Sequence, residues 1–261
     1  MNFLIIGDIV GKSGMDKVIE QYPILVKEKC IDFTIANGEN SANGKGLRQK
    51  EYDSLINLGI DCITMGNHIY YRKEMADKYI TLPRLLIPAN ITNLKGNGNV
   101  VIEKNNIKIG IINLIGKVNM GEILSSNMKN PFEVIDEQIN IVKTKGAKYV
   151  FVDFHAEATA EKIAMGYYLQ DKVNCLYGTH THVQTADEKI LSSGMAYITD
   201  VGMTGPNDSV LGLKKEIAIK RFLTGEKIKY ECSENTATLN AIFVQIDDNT
   251  SKVVKIERIV R

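Results

Sequence analysis

Short apolar runs alternate along the chain with segments of helical character. A continuous apolar run over residues 3–6 predicts a strand buried on both faces. Largely apolar segments predict further strands over residues 31–36, 61–65, 149–154 and 173–177, with shorter ones over 85–89 and 196–199. Helices are predicted over residues 12–29, 49–58, 72–79, 132–145 and 156–169. Pro23 indicates a break in the first of these helices. This alternation predicts an α/β fold.

Two pairs of segments have the pattern of antiparallel hairpins. Residues 100–103 and 108–114 flank Lys104-Asn105-Asn106, and residues 237–246 and 253–259 flank Asp247-Asp248-Asn249. The second hairpin is predicted to form a sheet edge. Glycine-bearing segments over 41–46, 116–130 and 201–206 are predicted as loops, of which 116–130 resembles a lid, and residues 217–223 as a short helix or strand.

Composition narrows the class of protein. The chain has 261 residues, 44% of them hydrophobic and 24% charged, which is typical of a globular protein with a large core. A single domain over residues 1–261 is the simplest interpretation, because no repeat, low-complexity tract or linker interrupts the pattern. The net charge of +1 implies no strong field for nucleic acid or an acidic membrane.

The chain has no segment with the pattern of a leader or a membrane span. The N-terminal apolar run lacks a basic region and meets Asp8 at once, so it is predicted to be a strand. The four cysteines, Cys30, Cys62, Cys175 and Cys232, are scattered, and those at 62 and 175 are expected to be buried thiols. A cytoplasmic protein with reduced thiols is predicted.

Polar residues follow five of the predicted strands. These strand ends are Gly7-Asp8, Gly38-Glu39-Asn40, Gly66-Asn67-His68, Asp153-Phe154-His155 and His180-Thr181-His182. Ligands of open α/β sheets bind outside the carboxyl ends of the strands, so we expect these side chains to converge. All four histidines of the chain lie at these ends. Asp187, Glu188 and Asp200, in contrast, are predicted to be surface or loop groups.

The candidate residues together have the chemistry of a metal site. Taken singly, Asp8 is most simply a helix N-cap, Glu39 and Asn40 turn residues, and His68 a core histidine. Their common position at strand ends favours metal binding instead, because they offer oxygen and imidazole nitrogen and no thiolate. Such ligands suit Fe, Mn or Zn. The seven candidate ligands, enough for two ions, are Asp8, Glu39, Asn40, Asn67, His155, His180 and His182.

Longer strings carry a resemblance to a known family. They are GDIVG at 7–11, NGENSA at 37–42, DFHAEAT at 153–159, GTHTHVQTAD at 178–187 and YITDVGMTGP at 197–206. With Gly66-Asn67-His68, they make the chain resemble the calcineurin-like metallophosphoesterase superfamily. Within that superfamily, they resemble its bacterial 2′,3′-cyclic-nucleotide 2′-phosphodiesterase branch.

The resemblance implies a four-layer α/β/β/α sandwich and a role for each candidate. One ion would be held by Asp8, Glu39, Asn40 and His182, and the other by Glu39, Asn67, His155 and His180. His68 would be the catalytic proton donor. The chain departs from the common superfamily pattern at Val10, where a histidine is usual, at Glu39, where an aspartate is usual, and at Ile69-Tyr70, where an acidic residue usually supports the histidine.

The expected function is hydrolysis of a cyclic nucleotide at a centre of two divalent or trivalent metal ions, with Fe favoured and Mn or Zn as alternatives. Two other functions stay open: a regulatory metalloprotein with weak catalysis, acting through an RNA or protein partner, and a general phosphomonoesterase or phosphoprotein phosphatase. The resemblance also implies a homo-oligomer, and no membrane association is expected.

Overall fold

A computed structural model of the protein describes residues 1–121 and 126–261. Its first large sheet contains β1 (Asn2–Ile6), β3 (Phe33–Asn37), β4 (Cys62–Thr64), β5 (Leu85–Leu86), β14 (Asn240–Ile246) and β15 (Val253–Val260). The six strands have the order β15-β14-β1-β3-β4-β5. Strands β1, β3, β4 and β5 are parallel, and the antiparallel hairpin β14–β15 extends the sheet beyond β1.

The second large sheet contains β6 (Asn99–Lys104), β7 (Ile107–Ile115), β8 (Tyr149–His155), β9 (Cys175–Thr179), β10 (Lys189–Ile190) and β11 (Ala196–Ile198). Its six strands have the order β10-β11-β9-β8-β7-β6. The inner strands β7, β8, β9 and β11 are parallel, and β6 and β10 pair antiparallel at the two edges. A small sheet joins β2 (Asp8–Ile9), β12 (Met203–Pro206) and β13 (Ala237–Thr238).

Helices cover the outer faces of the two large sheets. The α-helices in the described part of the chain are α1 (Gly11–Lys29), α2 (Gln49–Leu58), α3 (Pro131–Thr144), α4 (Thr159–Leu169) and α5 (Lys215–Thr224). Helices α1 and α2 pack on the first sheet, and α3 and α4 on the second. The layers are therefore α/β/β/α, as the family resemblance implied.

The alternation of side chains along β1 shows how the layers are held together. Leu4 and Ile6 face the core under α1 and α2, whereas Phe3 and Ile5 face the core between the two sheets. The Phe3 ring lies 4.4 Å from the ring of Phe151 on the facing sheet, measured between ring centroids. Since successive strand residues point to opposite faces, a continuous apolar run is what a strand buried on both sides needs.

Several predicted elements are confirmed and three are corrected. Both hairpins form as predicted, and β15 lies at a sheet edge. Helix α1 runs through Pro23 without a break, because this proline is exposed and water can satisfy the carbonyl group that loses its donor. The predicted helix over 72–79 is only a 3₁₀ turn at Lys73–Met75 followed by further turns.

The glycine-rich segment over 201–206 is also not entirely a loop. Met203–Pro206 form β12, which pairs with β2 and β13 and so braces the chain around Asp8. In the predicted loop over 116–130, residues 116–121 and 126–130 form no helix or strand, and 122–125 lie outside the described residues.

Two further expectations concern the chain as a whole. All four cysteines lie in the described part of the chain and are free, and Cys62 and Cys175 are buried as predicted. No helix within residues 1–121 and 126–261 is long and apolar enough to cross a membrane.

Candidate metal centre

The structure brings all eight predicted site residues into one cluster at the carboxyl ends of the strands. Asp8 follows β1, Glu39 and Asn40 follow β3, and Asn67 and His68 follow β4. From the facing sheet, His155 is the last residue of β8, and His180 and His182 follow β9. Each is within 4 Å of another member of the cluster. The contacts that link them are given by the pairs Asp8–His155, Asp8–His182, Asn40–His182, Asn40–His68, Glu39–His155, Asn67–His155 and His155–His180.

Glu39, His155 and His180 form the centre of the cluster. One ligand atom from each lies within 4.8 Å of the others, so these three groups could hold a metal ion. His155 Nε2 lies 3.3 Å from Glu39 Oε1, 3.1 Å from His180 Nδ1 and 2.8 Å from Asn67 Oδ1. With His155 Nε2 deprotonated, four atoms that can each offer a lone pair face one another, and a bound cation would satisfy all of them.

A hydrogen bond at Nδ1, the ring nitrogen turned away from the cluster, sets the orientation of His155. Thr179 Oγ1 donates its hydrogen to Asp153 Oδ1, at 2.7 Å, so it accepts from the Nδ1–H of His155, at 2.9 Å. Asp153 is fully buried and also accepts from Thr64 and Asn37. With Nδ1 protonated, Nε2 is the nitrogen that can bind a metal.

A different carboxylate sets the orientation of His180. Its Nε2 lies 2.9 Å from Glu157 Oε2, which accepts a hydrogen bond from Nε2–H. This leaves Nδ1 with a lone pair facing His155. Burial and the charge of nearby His155 lower the pKa of His180 to about 3. Its imidazole is therefore neutral at physiological pH, which is the form that binds metals.

A second group of ligand atoms adjoins the first at Asp8 and His182. His182 Nε2 lies 3.8 Å from Asp8 Oδ1 and 3.0 Å from the Nδ2 atom of Asn40. Asp8 Oδ2 accepts from the backbone N–H of His180, but Oδ1 is buried and has no hydrogen-bond partner. Burial holds the pKa of Asp8 well above its ordinary value. A buried carboxylate oxygen without a donor is costly, and a bound cation would remove that cost.

The carboxamide of Asn40 connects this second group to His68. Asn40 Nδ2 faces His182 and donates to Glu39 Oε1 at 3.1 Å, while Asn40 Oδ1 faces His68 Nδ1. Glu39 Oε1 is also 3.3 Å from His68 Nδ1, and Glu39 Oε2 accepts from the His68 backbone N–H at 3.2 Å. The support that an acidic residue after the histidine usually gives thus comes here from Glu39 and Asn40.

Opposite charges stabilise each other at the centre of the cluster. Burial disfavours the charged form of His155, but the carboxylates of Glu39, Asp8 and Asp153 together outweigh it and raise the pKa of His155 to about 9. Burial likewise opposes ionisation of Glu39, yet His155 and His68 hold the pKa of Glu39 well below its ordinary value. In the protein without metal, a proton on His155 therefore neutralises part of the charge that an ion would neutralise.

Gly66 lets the two sheets approach each other at this point. A Cβ atom on Gly66 would lie 2.2 Å from His155 Nε2 and 2.3 Å from Glu39 Oε2. Any side chain here would displace one of those groups. The glycine before Asn67 and His68 is thus required by the close approach of the backbone to the cluster.

An ion pair that the sequence analysis did not predict, Lys162–Asp200, lies beneath the turn at residues 180–182. Asp200 lies in a loop, one of the two predicted alternatives, but it is fully buried and not at the surface, and its Oδ2 accepts from Lys162 Nζ at 2.7 Å. Asp187 and Glu188 are half-buried. A signal for Lys162 was present, because it shares the buried face of α4 with Met165 and Leu169 at helical spacing.

The four-layer sandwich and the oxygen and imidazole cluster at its strand ends define a protein of the metallophosphoesterase type. The chain matches the model of the YmdB-like protein family over residues 4–259. It belongs to this family, and it is accordingly a hydrolase.

Individual relatives support this assignment over the whole chain. The 2′,3′-cyclic-nucleotide 2′-phosphodiesterase of Bacillus subtilis (strain 168) is 46% identical over 260 residues, which are 99% of this chain and 96% of that protein. The crystal structure of a novel phosphatase from Mycoplasma pneumoniae superposes with a TM-score of 0.93 at 38% identity, covering 100% of this chain and 93% of the other. A hypothetical protein from Thermus thermophilus superposes with a TM-score of 0.91 at 32% identity, covering 100% of this chain and 99% of the other.

Proposed function

We propose that the chain is a phosphodiesterase with a two-metal centre that hydrolyses 2′,3′-cyclic nucleotides to 3′-nucleotides. The observation that carries the proposal is the pair of adjoining ligand groups at the carboxyl ends of the strands. One contains the converging atoms of Glu39, His155 and His180, and the other contains the partnerless oxygen of Asp8 next to His182.

Each ion has a proposed set of ligands. One ion would be held by Glu39, Asn67, His155 and His180. The carboxylate of Glu39 would also bind the second ion. Asp8, Asn40 and His182 would complete that second site. Asn40 would bind this ion through Oδ1 after a half-turn of its carboxamide, which exchanges the positions of oxygen and nitrogen. Only the hydrogen-bond network distinguishes these two atoms. These donors suit Fe, Mn or Zn, of which we favour Fe.

The protein's own groups then have defined tasks. Bound cations would neutralise charge on the phosphoryl group and make water a nucleophile at neutral pH. Glu39 Oε1, 3.3 Å from His68 Nδ1, accepts the Nδ1–H of His68, so Nε2 is the nitrogen left for the substrate. In its protonated form, His68 would donate the Nε2 proton to the departing 2′ oxygen, which yields the 3′-monophosphate.

The substrate class is supported by the relatives. The Bacillus subtilis protein, named as a 2′,3′-cyclic-nucleotide 2′-phosphodiesterase, is similar to this chain over nearly the full length of both. The compartment, the homo-oligomer, a regulatory RNA or protein partner and the single domain over 1–261 stay predictions of the sequence.

A panel of substrates tests the proposal. Protein of measured metal content is assayed with 2′,3′-cyclic AMP, 3′,5′-cyclic AMP, bis-p-nitrophenyl phosphate and p-nitrophenyl phosphate. We expect the highest kcat/KM for 2′,3′-cyclic AMP and 3′-AMP as the product. A preference for p-nitrophenyl phosphate would favour a general phosphomonoesterase instead. No turnover of any substrate with metal bound would favour a regulatory metalloprotein.

A further inference from the structure

We propose that Lys45, held between Tyr71 and Tyr230, forms an anion subsite that binds phosphoryl oxygens of the substrate. The inference rests on the proposed function, which supplies the phosphodiester. It assigns a substrate-binding role to the glycine-bearing loop over 41–46, which contributes no residue to the metal centre.

The subsite adjoins the metal centre through His68. The ring of Tyr71 packs edge-on against the ring of His68, with 5.1 Å between the centroids. Lys45 Nζ donates to the Tyr71 hydroxyl at 2.9 Å. Tyr71 is 53% exposed, so this arrangement is open to solvent and accessible to a ligand.

Two aromatic rings hold the Lys45 ammonium without neutralising its charge. Nζ lies 4.6 Å from the ring centroid of Tyr71 and 5.1 Å from that of Tyr230. No carboxylate pairs with Lys45 in the part of the chain that the structure describes, and the Tyr71 hydroxyl accepts one of its three N–H groups. Lys12, by comparison, pairs with Asp16 on the surface of α1.

The backbone of the loop is shaped around this lysine. Gly44 and Gly46 both have positive φ angles, of 81° and 77°. A Cβ atom on Gly44 would lie 2.5 Å from the Tyr230 ring, and one on Gly46 would lie 2.6 Å from Arg72 Cγ. Arg72 Nε donates to the Lys45 carbonyl at 3.1 Å and so fastens the loop to the segment that carries Tyr71.

A phosphoryl group is the ligand that these features suit. An ammonium ion with free donors binds phosphate oxygens by charge-assisted hydrogen bonds, which are about twice as strong as neutral ones. The bound group is either the phosphate that is hydrolysed or a further phosphate on the same nucleotide. Because both present the same oxygens, the test must separate them.

Binding of inorganic phosphate tests the subsite without turnover. The metal-loaded wild type is compared by titration calorimetry with Lys45→Met, Lys45→Arg and the control Lys12→Met, which removes a paired lysine. We expect Lys45→Met to weaken phosphate binding by about tenfold or more and Lys45→Arg to stay within about threefold of wild type. Lys12→Met should bind as the wild type does. Lys45→Gln replaces Lys45→Met if that variant does not fold.

Kinetics then identifies the phosphate. The kcat and KM of these proteins are measured with 2′,3′-cyclic AMP and with the same nucleotide carrying a 5′-phosphate. An equal loss of kcat/KM for both substrates in Lys45→Met assigns the subsite to the hydrolysed phosphate. A rise in KM for the 5′-phosphorylated substrate alone assigns it to the further phosphate.

Two results are unfavourable and distinguishable. Phosphate affinity and kcat/KM that are the same in Lys45→Met and wild type would overturn the subsite and leave Lys45 as a brace between two rings. Absence of turnover in the wild type would count against the proposed function instead, while the phosphate affinities would still decide the subsite.

Discussion

The ammonium of Lys162 donates a 2.7 Å hydrogen bond to Asp200 Oδ2, and both side chains are fully buried. The same oxygen accepts from the backbone N–H of Thr181 at 3.1 Å and from its hydroxyl at 2.8 Å. Thr181 stands between His180 and His182, whose φ angles of 100° and 64° are unusual for residues other than glycine. The buried ion pair therefore anchors the strained turn that carries two of the candidate ligands.

Breaking this ion pair should destabilise the protein strongly. In Asp200→Asn, Lys162 keeps a buried charge without a partner, and we expect the free energy of unfolding to fall by about 3–5 kcal/mol. Urea unfolding measures the change. The matched control is Asp136→Asn, which breaks the exposed pair with Lys172 and should cost less than about 1 kcal/mol. Equal effects of the two substitutions would show that the pair does not anchor the turn.

Removing the hydroxyl of Thr179 should weaken metal binding. Thr179→Val deletes the acceptor of the His155 Nδ1–H group and leaves Asp153 without one of its donors. Loss of such an outer partner typically lowers metal affinity about 10–100-fold. Competition with a chelator of known affinity measures this. Thr179→Ser keeps the hydroxyl and should retain most of the affinity, whereas a valine variant with unchanged affinity would show that Thr179 does not support the metal site.

Metal loading should release a proton and depend on pH. His155 has a pKa of about 9 without metal, so at pH 7.5 its Nε2 carries the proton that an ion must displace. We expect release of about one proton per chain from this group, and an affinity that rises about tenfold per pH unit below pH 9 and levels off above it. Calorimetry in two buffers of different ionisation enthalpy counts the proton. Affinity that does not change between pH 6 and 9 would contradict this.

The same shift has a consequence for the fold without metal. The pKa of His155 is raised above its ordinary value of 6.5, so protonation of His155 stabilises the folded protein. This contribution to the free energy of unfolding is fully present below pH 6.5 and is lost as pH rises through about 9.

His68 should act in turnover without being needed for metal binding. We expect His68→Ala to lower kcat for 2′,3′-cyclic AMP by about 10²–10⁴-fold, because the departing oxygen loses its proton donor. Metal content measured on the same sample should equal that of the wild type. A variant with full turnover and intact metal would exclude His68 from the mechanism.

The positions of the candidate residues could be predicted from sequence, because each follows an apolar strand. Parallel strands end at a common edge, and this brings Glu39 and His155 together from different sheets. The orientation of each group could not be predicted. Thr179 determines which nitrogen of His155 faces the cluster. Glu157, just before α4, determines which nitrogen of His180 does so.

The pattern also misassigned residues whose environment comes from distant parts of the chain. Asp200 lies in the loop between β11 and Gly202, which favours a surface position, yet Lys162 of α4 and the turn after β9 pack against it and it is fully buried. Pro23 is a helix breaker by propensity, but its exposed position on α1 makes the lost hydrogen bond tolerable. Local preference was overridden by packing in the first case and by solvent access in the second.

The two-metal mechanism is tested by measuring hydrolysis of 2′,3′-cyclic AMP against the number of metal ions bound per chain. Protein stripped by a chelator is reloaded stepwise, and metal content and 3′-AMP formation are measured on the same samples. We expect no turnover without metal and a rate that reaches its maximum at two ions per chain. Full turnover by the stripped protein, or none with two ions bound, would contradict this mechanism.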